Sequence, residues 1–273
     1  MKDLFDEVSI KCSKLTTKSY STSFSLAIQL LDKKFHDPIY AIYGYVRLGD
    51  EIVDSFHDYD KRQLLDKFAE DTSLAIKERI SLNPILNSFQ ATVHKYLIEQ
   101  ELIDFFLKSM YMDLSKRSYN REGYEEYLLG SSEVVGLMCL RVFTEGDKTL
   151  YEKLKPSAMS LGSAFQKVNF LRDIADDYEG LGRTYFPGLA MDTFSLEEKA
   201  IIEQEIEKDF SYALAGIKQL PAGAKRGVYL AYTYYNKLLE KIKRTSPQQL
   251  AQKRIRIYNL HKLYLMINSL VTS

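Results

Sequence analysis

The sequence predicts an all-α protein, and three observations carry that prediction. Apolar residues recur at three-to-four spacing along most of the chain, in stretches rich in Leu, Lys, Glu, Ala and Ile. Only 13 glycines and 6 prolines interrupt 273 residues. The breaks fall at a few points and part the chain into helix-sized pieces. Helices are expected over 3–15 and 20–31, then over 36–55 where Asp37-Pro38 marks a break. Asn83-Pro84 separates 60–79 from 84–97, and 100–115 follows. A helix over 121–144 ends at Glu145-Gly146, and one over 148–180 runs into the loop-like stretch Gly180–Gly188. Ser195 and Glu198 form a capping-box pattern that opens 195–219. Leu220-Pro221 precedes 222–244, and Ser246-Pro247 opens 247–270. No long polar linker or fixed-period repeat divides the chain, so residues 1–273 read as one domain.

Composition removes several function classes. Acids and bases balance at 37 each, which argues against a nucleic-acid partner, since that would need a basic surface. Cys12 and Cys139 give no disulfide framework, and a reduced cytoplasm is the expected setting. The start, MKDLFDEVSIKCSK, has early acids and no apolar core, so no signal peptide is expected. No window of 18 uninterrupted apolar residues exists, so no membrane-spanning helix is expected.

Two acidic pairs carry the chemistry. Asp173 and Asp177 stand four residues apart, with Gln166 and Asn169 on the same helical stripe. Asp50 and Asp54 repeat that spacing in YAIYGYVRLGDEIVD, with Arg47 one turn earlier. Such stripes on apolar helices either face water or are neutralised by a cation, because an unpaired buried carboxylate is costly. Oxygen ligands without nearby His or Cys suit Mg²⁺, with Mn²⁺ as an alternative. A lone pair at this spacing is more often a solvated face; two pairs, flanked by amides and an arginine, point to a metal–diphosphate mouth. Arg183, in GLGRTYFPG, reads either as a flap over the diphosphates or as an ordinary helix stop. Arg47, Arg172, Arg183, Lys253 and Arg254 are candidate phosphate ligands or surface ion pairs, and Arg172 is expected to pair with an acid of a neighbouring helix. Among 20 tyrosines and 14 phenylalanines, Tyr43, Phe165 and Tyr235 are candidates to face a carbocation. His36, His57, His94 and His261 show no metal spacing, and Cys139 and the 97–112 helix before Asp113 read as core.

At these residues the chain resembles the squalene/phytoene synthase family, over nearly its whole length. Ser21, Ser23 and Phe24 match the family's Ser-x-Ser-Phe segment. Arg47, Asp50, Glu51 and Asp54 match its first aspartate-rich helix. Tyr127, Gly130, Val135, Gly136, Leu137 and Met138 match its middle segment. Gln166, Asn169, Arg172, Asp173, Asp176, Asp177, Arg183, Tyr185, Phe186 and Pro187 match its long second motif, and Tyr235, Arg254 and Ile255 its late elements. Departures are Tyr20 for a frequent His, Gly49 for a larger side chain, Glu51 for Asp, Asp176 for Glu, and Leu129 for a second Tyr.

The resemblance implies an isoprenoid-synthase bundle around a deep apolar cavity. It implies that Asp50, Asp54, Asn169, Asp173 and Asp177 hold the metal, the four aspartates being the catalytic set. Ser21, Ser23, Phe24, Tyr43, Arg47, Tyr127, Gln166, Asn169, Arg183, Tyr235 and Arg254 would bind substrate. The implied reaction joins two prenyl diphosphates head to head through a cyclopropyl diphosphate. The GLMCLRVF run is more like bacterial phytoene synthases, which favours geranylgeranyl diphosphate. No dinucleotide fingerprint is present, so no NADPH is expected. The small residues Gly130, Ser131, Ser132 and Gly136 are expected to leave room for long chains. Alternatives are a farnesyl diphosphate enzyme making squalene, dehydrosqualene or hydroxysqualene, and a catalytically silent scaffold. Expected surroundings are cytoplasmic and peripheral at the inner face of the cell membrane, with a downstream desaturase as partner.

Overall fold

The computed structural model describes residues 2–189, 194–252, 254 and 255. Their helices are α1 (Lys2–Tyr20), α2 (Thr22–Gln29), α3 (Lys33–Asp54), α4 (Lys61–Glu78), α5 (Pro84–Tyr96) and α6 (Gln100–Ser115). There follow α7 (Arg121–Leu128), a π-turn (Leu129–Glu133), α8 (Val134–Thr144), α9 (Lys148–Leu181), α10 (Leu196–Ile217), α11 (Ala222–Lys243) and α12 (Pro247–Leu250). The all-α expectation holds: among the described residues the one extended pairing is an isolated parallel bridge between Ser118 and Thr184. Most of the expected 247–270 helix, with Lys253 and His261, lies outside the described residues.

Side-chain caps set many of the boundaries. Ser21, Asp60, Asn83, Asn120, Asp147, Ser195 and Ser246 each accept a bond from a backbone N–H of the helix they open. The capping box of Ser195 and Glu198 is formed in both directions. Gly182 ends α9 in the left-handed region at φ 62°. Asp37-Pro38 is not a break: α3 begins at Lys33 and runs through Pro38. Pro38 lies in the second turn, where its missing N–H leaves the Lys34 carbonyl without the usual i+4 donor, and the helix continues past it.

Two large apolar clusters fill the bundle, with a small third one of Leu230 and Tyr234 against Leu26 and Leu30. In the first, built on α3–α6 and α8, the Tyr45 ring lies 3.8 Å from that of Phe89 and 5.2 Å from that of Phe68. The second gathers Tyr127, Phe170, Phe186, Phe210 and Leu239 from α7, the α9 region, α10 and α11. α1 packs through small residues: Ser9, Ser13 and Thr17 are buried, and a Cβ on Gly44 of α3 would stand 2.9 Å from Ser13 Oγ. Arg121–Thr144 is long and apolar enough by composition alone to cross a membrane. Most of its apolar window is packed inside the bundle.

The expectation that the small residues of this stretch leave room for substrate does not hold for Gly130, Ser132 and Gly136, which close on protein atoms. A Cβ on Gly136 would come 2.8 Å from the Ala158 carbonyl, and one on Gly130 2.4 Å from that of Phe105. Ser132 is buried and its hydroxyl donates to the Leu128 carbonyl. These residues let α8 and the π-turn sit close on α6 and α9.

Candidate active site

α3 packs in the first cluster, while α9 begins in the first and runs into the second, and the later half of α9 carries the second acidic pair. Asp50 and Asp54 end α3; Gln166, Asn169, Asp173 and Asp177 follow one another along α9. The two pairs sense each other across the seam between α3 and α9. Burial, then Asp173, then Asp54 raise the Asp177 carboxyl to about 7. Burial and Asp54 raise Asp50 to about 7, against the opposing effect of Arg47.

The four aspartates divide in two. Asp173 is held by Arg172, whose Nε and Nη2 donate at 2.7 and 2.5 Å, and by Arg254 Nε at 2.8 Å. Asp54 receives Arg183 Nη1 at 2.9 Å. The carboxylates of Asp50 and Asp177 form no hydrogen bond or ion pair among the described residues. The sequence expectation for Arg172 is therefore corrected: it grips the adjacent aspartate of its own helix. Arg254 reaches Asp173 because the segment after α12 docks on α9, where the Ile255 N–H donates to the Arg172 carbonyl.

Amides and rings surround the carboxylates. Tyr235 donates to Asn169 at 3.3 Å, Asn169 to Gln166 at 3.4 Å, and Gln166 to Ser131 of the π-turn at 3.4 Å. This relay ties α11, α9 and the π-turn together beside the metal-type residues. Phe24 of α2 lies 5.9 Å from Tyr43, 6.1 Å from Phe165 and 5.9 Å from Tyr235, and Phe165 stacks on Tyr235 at 4.0 Å. Ser21 caps α2 and Ser23 lies in its first turn, bringing Phe24 to the rings. Arg47 pairs with Glu51, and Tyr20 covers its guanidinium at 4.3 Å from the ring centre. Tyr20, the departure from the family's His, thus supplies a ring face to the same arginine. Leu129, another of the departures, packs on the first cluster.

One residue escaped the sequence reading. Asp113, at the end of α6, is only 5% exposed and its carboxyl is raised to about 7, chiefly by burial. Tyr127 donates to it at 2.8 Å, and Arg183 stands beside it. The Tyr127 hydroxyl, expected at substrate, is therefore committed to Asp113. The signal was a lone Asp in the apolar run FFLKSMYMDL, where burial demands partners.

A cavity of about 770 Å³ lies elsewhere, bordered by Lys116, Arg121, Glu126, Glu133, Lys167 and Asp209. It is charged, and none of the residues nominated from sequence lines it. The apolar side of the seam is instead the aromatic group around Phe24.

A metal fits this donor set. Among the described residues no three His, Cys, Asp or Glu side chains form a ready-made cage. The seam does present facing carboxylates, two of them unpaired and raised by burial and mutual repulsion. That surplus of oxygen-borne charge suits a hard divalent ion that takes its remaining ligands from water and phosphate.

A helical bundle with two carboxylate pairs at a seam lined by aromatic rings defines an isoprenoid-synthase-like class. The chain belongs to the squalene/phytoene synthase family, whose sequence pattern matches residues 17–261. That family consists of head-to-head prenyltransferases that act on prenyl diphosphates with a divalent metal. The phytoene synthase of Arthrospira platensis is 25% identical over 260 residues, covering 85% of this chain and 83% of that protein. The 4,4'-diapophytoene synthase of Staphylococcus haemolyticus is 29% identical over 200 residues, covering 70% and 65%. The chain spans 62% of the length of tomato chloroplastic phytoene synthase 1, at 24% identity over 258 residues and 88% of this chain. In fold, a dehydrosqualene synthase crystallised with ligand matches at a TM-score of 0.84 and 19% identity, covering 98% of this chain and 97% of that one. A squalene synthase from Alicyclobacillus acidocaldarius matches at 0.76 and 20%, covering 88% and 94%.

Proposed function

We propose that the protein condenses two geranylgeranyl diphosphates head to head, through a cyclopropyl diphosphate, and releases phytoene without a reductant. The observation that carries this reading is the meeting of Asp50 and Asp54 with Asp173 and Asp177 beside the Phe24, Tyr43, Phe165 and Tyr235 rings. Asp50, Asp54, Asp173 and Asp177 would hold Mg²⁺, with Asn169 beside them. Bound there, Mg²⁺ would neutralise diphosphate and help it leave. Arg47, Arg183 and Arg254 stand at the carboxylates, where each would share in anchoring diphosphate oxygens. Gln166 and Asn169, fixed by Tyr235 and Ser131, would orient the headgroup. The rings would shield and stabilise cationic carbon while excluding water. The phytoene synthases among the relatives support the longer substrate.

A second reading uses farnesyl diphosphate. The diapophytoene synthase relative and the dehydrosqualene synthase fold match favour it. Incubating the protein with each diphosphate separately, Mg²⁺ and no NADPH, followed by lipid extraction, decides between them. A forty-carbon triene-centred product from geranylgeranyl diphosphate is expected. Consumption of farnesyl diphosphate alone, or a stall at the cyclopropyl diphosphate until NADPH is added, would replace the first reading.

The same proposal places the enzyme at the cytoplasmic face of a membrane, feeding a desaturase. Exposed Leu4, Val8 and Leu15 share one outward side of α1, and substrate tails of this length favour a lipid surface. Liposome flotation tests this; no association even with substrate present would contradict it.

A further inference from the structure

Asp113 holds three groups at once. Its Oδ2 accepts from Tyr127 at 2.8 Å, and its Oδ1 from Tyr185 at 3.4 Å. Its backbone carbonyl accepts Arg183 Nη2 at 2.8 Å, while Arg183 Nη1 lies 3.4 Å from Oδ1. The same Nη1 reaches Asp54 at 2.9 Å. Arg183 is 4% exposed, so it is a buried cation gripped from within by Asp113 that spends one edge on α3. A buried carboxylate needs partners, and the two tyrosine hydroxyls supply them to Asp113, while Arg183 Nε is buried without one among the described residues. Stacked rings of Tyr119, Tyr185, Phe170 and Tyr127 seal the group from water. The backbone that carries Arg183 is tied from the same side, since the Thr184 N–H donates to the Arg117 carbonyl at 2.9 Å.

We propose that Asp113 is a positioning residue: it fixes Arg183 across the seam, so that the segment after α9 delivers a cation to the Asp54 side where diphosphate binds. The identity of that anion rests on the function proposed above. The hold on Arg183 does not.

Two measurements on the full chain test it. Asp113→Asn keeps the shape and removes the charge. Hydrogen exchange at Arg183 and Thr184 is expected to quicken at least tenfold, with exchange in α5 unchanged. With prenyl diphosphate, kcat/KM should fall at least tenfold, and Asp113→Asn combined with Arg183→Gln should be no worse than Arg183→Gln alone. A merely structural role would make the losses multiply. Tyr185→Phe and Tyr127→Phe, each removing one hydroxyl from the carboxylate, give smaller shifts of the same kind and carry the test if Asp113→Asn does not fold. Unchanged exchange, or losses that multiply in the double variant, would overturn the proposal. Quickened exchange in a protein that turns over no prenyl diphosphate would retain the hold of Asp113 and defeat the proposed function.

Discussion

Asp50→Asn and Asp173→Asn should shift the stability of the metal-free protein in opposite directions. Asp50 forms no ion pair, and its carboxyl moves from 3.8 to about 7, mainly through burial. The folded protein therefore binds this proton more tightly than the unfolded chain does. Stability is lost as pH rises from the lower value through the upper one, and the loss persists above it. About three pH units at ~1.36 kcal/mol each give about 4 kcal/mol as an upper bound. Relaxation and water entry reduce this, and about 2 kcal/mol is the working figure. In a protein of this size that corresponds to a gain of roughly 5 °C in Tm for Asp50→Asn at pH 8.5. The gain should shrink towards pH 4, where wild type is protonated as well. Asp173 is different, because Arg172 and Arg254 both lean on it. Removing its charge leaves two guanidinium groups without their partner, at a cost of about 1–3 kcal/mol. Thermal melts in chelator at pH 5 and pH 8.5 read both effects. The reasoning fails if the two variants shift the same way, or if Asp50→Asn tracks wild type at both pH values.

Turnover should cease in excess chelator and return with Mg²⁺ or Mn²⁺; full turnover in chelator would remove the metal from the account. Gly136→Ala should lower Tm, by about 1–3 kcal/mol of overpacking, without changing product length, because the added carbon meets the Ala158 carbonyl. A shift towards shorter products at normal stability would contradict that. Tyr20→Ala should raise KM about fivefold, or ~1 kcal/mol, with kcat nearly unchanged, while Tyr20→Phe stays near wild type. A Phe variant as weak as the Ala variant would show that the hydroxyl, rather than the ring face over Arg47, matters.

Much of this was legible in the sequence for physical reasons. Spacing of four puts Asp50 with Asp54, and Asp173 with Asp177, on one face whatever surrounds them. Asn83, Ser195 and Ser246 announce helix starts because their side chains satisfy otherwise orphaned N–H groups. What stayed hidden depends on partners remote in the chain. Nothing local to Asp113 shows that Arg183, 70 residues later, comes to it. Nothing local to Gly136 tells close packing against α9 from room for a ligand. Arg172 could be placed on its helix, but the reach of its side chain back to Asp173 depends on a rotamer rather than on periodicity.

The central claim is that the α3 and α9 aspartates form one metal-dependent diphosphate site. Titration calorimetry with Mg²⁺ and a geranylgeranyl thiodiphosphate that resists cleavage tests it most directly. Wild type should bind only when Mg²⁺ is present, and Asp50→Asn and Asp177→Asn should each weaken binding at least tenfold while remaining folded. Binding that is equally tight without Mg²⁺, or equally tight in both variants, would contradict the claim.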